Sequence, residues 1–313
     1  MTATRTPDAA TTWRPDFPIS VRLTLSVLRH GAGDPCHQVA DDGAIWRTSR
    51  IASGPVTYRI RQDAPQVVSG QAWGPGADAL IAMLPELLGS EDDPDTFDPR
   101  DDFVRAAQTR FRGLRIPATG RVLESLVPAV LEQKIVGIDA FAHWRRLVTR
   151  FGDAPPGPAP IGMRLPPTAD AWQEIPTWSW HRAGVEERKA RTIALAASYA
   201  GRLETEAARR PNDPSALYRM LTAMPGIGVW TAAEVGHRAI GDADAPPIGD
   251  YHLPALLGEA LGDGRAIRED EVEEFLEPWR PHRYRLVRLL ELMPGSRRER
   301  RGPRMPRLDY RAI

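Results

Sequence analysis

Apolar and polar residues alternate over VRLTLSVLRH (21–30), which puts Val21, Leu23, Leu25 and Val27 on one side. AIWRTSR (44–50) and PVTYRIRQ (55–62) continue the period of two, and Gly31, Gly33, Asp41-Asp42-Gly43 and Gly54 supply turns at short spacing. The pattern predicts an antiparallel sheet within residues 17–72, then a helix over GADALIAMLPELL (76–88). EDDPDTFDPRDD (91–102) is acidic and broken by proline. It resembles half of a calcium loop but lacks the central glycine and closing glutamate, so a solvated linker is expected there.

From Asp102 the period lengthens to that of helices. DFVRAAQTRF (102–111) comes first, then RVLESLVPAVLEQKI (121–135), where Leu123, Leu126, Val127, Val130 and Leu131 mark one buried face. Pro128 inside it predicts a kink or a late start. DAFAHWRRLVTRF (139–151) follows, then a proline-rich loop (151–170), PTWSWHRAG (176–184) and VEERKARTIALAASYAGRL (185–203). DPSALYRMLTAM (213–224) opens on an expected N-cap, Asp213, with proline in the first turn. VWTAAEVGHRAI (229–240), LPALLGEAL (253–261), EDEVEEFLEP (269–278) and HRYRLVRLLEL (282–292) complete the helical half. The expected fold class is α+β: an N-terminal antiparallel sheet domain (16–100) and an all-α domain (101–295), between a disordered N-terminus (1–15) and a disordered arginine-rich tail (296–313).

Composition narrows the chemistry. The 313 residues are 42% apolar and 26% charged, an ordinary globular balance. No apolar run reaches the ~20 residues that span a bilayer, and residues 1–16 lack the apolar middle of a signal peptide. A cytoplasmic, nucleoid-associated, monomeric protein is expected. Cys36 is the only cysteine, which excludes a disulfide framework and any four-cysteine zinc or iron–sulfur site; no metal and no cofactor are expected. Cys36 and His37 adjoin without an evident catalytic partner and read as structural. The formal net charge is +0, so any nucleic-acid contact must be local. Lys134 and Lys189 are the only lysines.

The informative stretch is MPGIGVWTAAEVGHRAIGDADAPPIGDYHLP (224–254). Helix, PGIG turn and helix form a hairpin in which Gly226 and Gly228 admit positive φ and carry no Cβ, while Ile227 plugs the space between the helices. The exposed amides of such a turn make a nest for an anion, and amides that ignore base sequence suit a DNA phosphate. A plain αα-corner with a glycine cap remains an alternative. Asp250, 22 residues past Gly228, follows Gly249 on a turn stiffened by Pro246 and Pro247. A carboxylate there serves as a helix N-cap, as a group facing a ligand, or as both.

MPGIGVWTA and APPIGDYHLP resemble the hairpin and the aspartate segment of the helix–hairpin–helix DNA glycosylase superfamily, with Met224 in place of the usual leucine. FRGLRIPATGRVLESLVPAVLEQKI and AGVEERKARTIALAA resemble two further segments, with Gln133 at the family's glutamine position. The resemblance covers roughly 110–295, and a sheet domain ahead of the helices is also a feature of the alkylbase branch, the 3-methyladenine DNA glycosylase II type. It implies a repair enzyme that flips a damaged base out of double-stranded DNA and cuts its N-glycosidic bond. Asp250 would stabilise the oxocarbenium-like sugar and activate water. Gly226, Ile227 and Gly228 would hold phosphate, and Trp230, Gln133, Glu234 and Tyr251 would line the base pocket.

Bifunctional relatives place a Schiff-base lysine where this chain has Trp230, so the resemblance implies a monofunctional enzyme. Two departures unsettle the substrate: Glu234 stands where the alkylbase enzyme has tyrosine, and an aliphatic residue near Leu290 replaces a pocket tryptophan. The competing readings are a DNA-binding module without chemistry and an oxidised-purine glycosylase with lyase activity. An aromatic of PTWSWHRAG is a candidate wedge or core residue, and Arg297, Arg298, Arg300 and Arg301 are candidate phosphate contacts.

Overall fold

The computed structural model describes residues 5–209, 213–262, 265 and 267–294. The arginine-rich tail lies outside them.

Five strands, β1 (Ala9–Trp13), β2 (His37–Val39), β3 (Ile45–Ile51), β4 (Gly54–Ala64) and β5 (Val67–Trp73), form one antiparallel sheet in the order β1-β5-β4-β3-β2. Alternation puts Ile45, Val56, Tyr58, Ile60, Val68 and Ala72 on the buried face. They pack on α1 (Val21–Ser26), α2 (Ala77–Ala82) and α3 (Leu84–Leu87). Two expectations are corrected here. Residues 9–13 are not disordered: β1 pairs along β5 from Ala9↔Ala72 to Trp13↔Val68. VRLTLSVLRH is not a strand either. Ser20 caps it by accepting from Leu23 N, and the buried residues are Val21, Thr24 and Leu25, a helical spacing. The alternation misleads because Leu23 packs against a different core from Val21 and Leu25.

The helical body has two cores. The larger joins α5 (Val122–Glu132), α6 (Gly137–Phe151), α7 (Ala169–Glu174), α8 (Thr177–Ala183), α9 (Glu187–Ser198), α10 (Ala200–Arg209), α11 (Ser215–Thr222) and α12 (Val229–Val235). The helix α5 is continuous from Val122 across Pro128, so it has no late start. The smaller core joins α4 (Asp102–Arg110), α13 (Leu253–Leu261), α14 (Val272–Leu276) and α15 (Arg283–Leu292). A π-helical turn, Gly236–Ile240, extends α12.

The acidic stretch after α3 is more than a solvated linker. Asp92 is buried, accepts from Ile116 N at 3.0 Å and pairs with the buried Arg285 of α15. No described helix is long and apolar enough to cross a membrane.

Candidate active site and nucleic-acid interface

The hairpin joins α11 to α12. Ile227 N donates to Met224 O at 3.1 Å, and Ile227 is buried as the plug between the helices. The two glycines are not equivalent. Gly226 has φ +89, and a Cβ there would lie 2.3 Å from Thr192 Oγ1 of α9. Gly228 has an extended φ of −101, and a Cβ would meet nothing within 4 Å. Positive φ is therefore needed at Gly226 alone. The missing Cβ of Gly228 relieves no contact within the protein, so its bareness leaves surface open for an approaching group.

Two side chains fix the hairpin from behind, and a third braces α5 beside them. Thr192 Oγ1 donates to Pro225 O at 3.2 Å. Gln133, just past α5, donates through Nε2 to Gly226 O and to Thr231 Oγ1, both at 2.9 Å. Its amide thus clamps the turn. Lys189 Nζ donates to Leu131 O at 3.0 Å in the last turn of α5, and burial pulls its pKa down to about 8.

Asp250 is brought to the hairpin by a turn that is itself anchored. Tyr284 N and Arg285 N of α15 donate to Ala243 O, and Arg283 forks onto the Asp244 carboxylate at 2.9 Å from both Nε and Nη2. Gly249 then takes φ +89. The two oxygens of Asp250 have separate partners. Oδ1 accepts from His252 N at 2.7 Å, and Oδ2 accepts from Trp230 Nε1 at 3.3 Å. The carboxylate is half-buried and makes no ion pair with any described residue. It is at once a turn acceptor and a group aimed at the first turn of α12.

Tyr251 and Glu234, two expected pocket residues, differ in exposure. Tyr251 is 81% exposed, with only the edge of His252 against its ring at 5.1 Å. Glu234 sits one turn below Trp230 but is buried and paired with Arg238, whose Nη1 also donates to Glu234 O at 2.9 Å. Burial pushes the Glu234 carboxyl up to about 7 although Arg238 opposes the shift. Arg238 Nε reaches Val27 O beyond α1 at 3.1 Å, so this pair ties α12 to the sheet unit. Leu290 is fully buried in the smaller helical core. Of the PTWSWHRAG aromatics, Trp180 is in the larger core and Trp178 is exposed beside the Arg150 and Arg182 guanidiniums. Cys36 is buried, with Sγ against Arg164 O at 3.4 Å, and burial raises its thiol. No metal-holding cluster of His, Cys, Asp and Glu occurs among the described residues. The sequence reading missed Thr192 and the clamping role of Gln133, whose partners lie 33 and about a hundred residues away.

No protein-family model matches the chain. In sequence it is 32% identical over 211 residues to a Mycobacterium tuberculosis protein described as a probable bifunctional transcriptional activator/DNA repair enzyme AlkA. That match takes 66% of this chain and 38% of the relative, so the chain spans well under half of the curated protein it matches. In structure it matches the 3-methyladenine DNA glycosylase of Archaeoglobus fulgidus with a TM-score of 0.76 and 20% identity, over 92% of this chain and 98% of that one. It also matches the 8-oxoguanine glycosylase/lyase of Clostridium acetobutylicum with a TM-score of 0.69 and 10% identity, over 92% and 97%. In fold the chain matches DNA glycosylase structures, and in sequence it is similar to a relative described as a probable DNA repair enzyme AlkA.

Proposed function

We propose that the chain is a monofunctional DNA glycosylase that hydrolyses the N-glycosidic bond of an alkylated purine flipped out of double-stranded DNA. The observation that carries this reading is the placement of Asp250 beside the hairpin, with one oxygen on a backbone amide and the other on the Trp230 indole. As the base departs with the bonding electron pair, positive charge grows on the sugar. A fixed carboxylate stabilises that charge and accepts a proton from the water that adds at C1′. Trp230 orients the carboxylate through its N–H. Its π face also suits a purine made cationic by alkylation. The open flank at Gly228 and the amides around it suit a phosphate of the same strand.

The absence of lyase chemistry is part of the proposal and rests on Trp230 standing at the lysine position of bifunctional relatives. Lys189, the buried lysine nearest in fold to the hairpin clamp, is held on a carbonyl.

A duplex carrying 3-methyladenine or hypoxanthine separates the readings. Base release without strand cleavage is expected. Asp250→Asn should lower excision by ~10²–10⁴ with DNA affinity retained. An equally active variant removes Asp250 from the mechanism. Strand nicking, with borohydride trapping at Lys189, replaces the monofunctional reading with the lyase one. Binding without release of any base leaves a DNA-binding module.

A further inference from the structure

Several exposed arginines are neutralised where they stand, such as Arg105 by Asp102 and Arg191 by Glu187. Arg150, in the last turn of α6, and Arg182 of α8 are fixed differently. Both guanidiniums lie against the ring of Trp178, 4.7 and 5.3 Å from its centroid, and Arg150 also lies 5.4 Å from the ring of Phe151. Trp178 is 53% exposed. Neither guanidinium makes a hydrogen bond or an ion pair with a described residue. A stacked guanidinium is held by its face and keeps its N–H edge free. The indole therefore orders two forks without cancelling their charge, as a carboxylate would.

The surroundings are one-sided in charge. The helices α6 and α8 carry Arg145, Arg146, Arg150 and Arg182, and their single carboxylate, Asp139, is buried. Of the acids that flank them in sequence, Asp153 is paired with Arg50, and Glu174 is exposed and bridges neither guanidinium. In a chain of formal net charge +0 this makes a local positive surface. It is also continuous with the hairpin. The helix α6 starts at Gly137, just past the Gln133 clamp, and rises about 20 Å from there to Arg150. The helix α8 ends at Gly184 and leads into α9, whose Thr192 holds Pro225. A separation of ~20 Å is well inside one ~34 Å turn of duplex.

We propose that Arg150 and Arg182, spaced by Trp178, grip the phosphodiester backbone of the duplex a few base pairs from the nucleotide at Asp250. Each fork donates to the unesterified oxygens of a phosphate, which guanidinium geometry matches. Such contacts carry no base preference and set the register of the protein on the duplex. This grip rests on the reading that double-stranded DNA is the substrate, not on which base leaves.

An undamaged duplex of about two turns is titrated against the full chain by fluorescence anisotropy, from ~50 to ~200 mM salt. Arg150→Gln with Arg182→Gln should weaken binding at least ~10-fold and lower the salt slope by about two. Both side chains are exposed, so this variant should keep the melting temperature of its parent. Trp178→Ala leaves both charges but frees them, and should weaken binding by less, with the slope kept. Arg110→Gln with Arg202→Gln removes the same charge from two other ring-stacked arginines and should change affinity less than ~2-fold. A double variant that binds like its parent, or a control pair that weakens binding as much, overturns the proposal. So does loss of a polyglutamate complex in place of the duplex complex, which gives the patch to an acidic protein. Because binding of undamaged DNA is what is read, a chain that releases no base refutes the glycosylase reading and leaves this result standing.

Discussion

Gly226 and Gly228 look alike in the sequence, yet their backbones assign them different work. A methyl at Gly226 faces both a left-handed φ and the Thr192 hydroxyl 2.3 Å away, so Gly226→Ala should destabilise the fold by about 1–3 kcal/mol. Gly228→Ala should change stability by less than about 0.5 kcal/mol, since the site is open and extended. It should nonetheless weaken duplex binding and flatten its salt dependence, by about one phosphate contact. Thermal melts paired with salt-titrated binding check both, and loss of stability without loss of affinity at Gly228 would remove the phosphate from that position. The turn-forming residues were legible in the sequence because PGIG and PPIGD carry their own local chemistry. Gln133 was legible as a residue but not in its role, because its amide meets Gly226 O only after about ninety intervening residues have folded. The partner of Glu234 was hidden for the same reason. Its spacing from Trp230 puts both on one helix face, but nothing local reveals that Arg238 closes over it.

At the level of elements, helices with a single buried face were readable from their period, and elements shared between two cores were not. The helix α1 has Val21 and Leu25 in the sheet core and Leu23 against the smaller helical core, which reproduces the alternation of a strand. The helix α12 carries a testable consequence of its own burial. Glu234 titrates near 7, against 4.5 for the free side chain, because burial disfavours its charge; Glu132 on α5 adds to this and Arg238 opposes it. Between about pH 4.5 and 7 the folded state therefore holds a proton that the unfolded chain has lost. Folded stability should fall as pH rises through that window, by on the order of 1–3 kcal/mol in total. Glu234→Gln should flatten this segment of the profile. Chemical unfolding of both proteins at pH 5 and pH 8 checks the sign. A wild-type chain that gains stability across the window, relative to the Gln variant, would contradict it. His237, Arg288 and Glu291 also act on this cluster, so the comparison with Gln isolates the one carboxyl.

Across the whole molecule, the boundary that composition draws near residue 100 is crossed by buried polar bonds. Glu124 of α5 accepts from Ser49 Oγ at 2.8 and 2.9 Å and from Arg50 N at 2.7 Å. Trp144 Nε1 donates to Asp34 Oδ1 at 2.9 Å, and Thr48 Oγ1 to Arg164 O at 2.6 Å. The acidic segment joins the same set, since Asp92 holds Arg285 with both side chains only 3% exposed. A solvated linker aspartate would tolerate truncation within about 0.5 kcal/mol. Asp92→Ala should instead cost about 3–5 kcal/mol, because Arg285 and the Ile116 amide lose their acceptor inside the protein. Arg285 belongs to α15, which also carries the Ala243–Asp244 anchor of the Asp250 turn. The variant should therefore lower the excision rate as well as the melting temperature, although Asp92 lies far in sequence from the hairpin. Calorimetry of the parent chain should show one cooperative transition with equal calorimetric and van't Hoff enthalpies. Two separated transitions, or an Asp92→Ala protein as stable as its parent, would mean that the sheet unit and the helical body fold as independent domains.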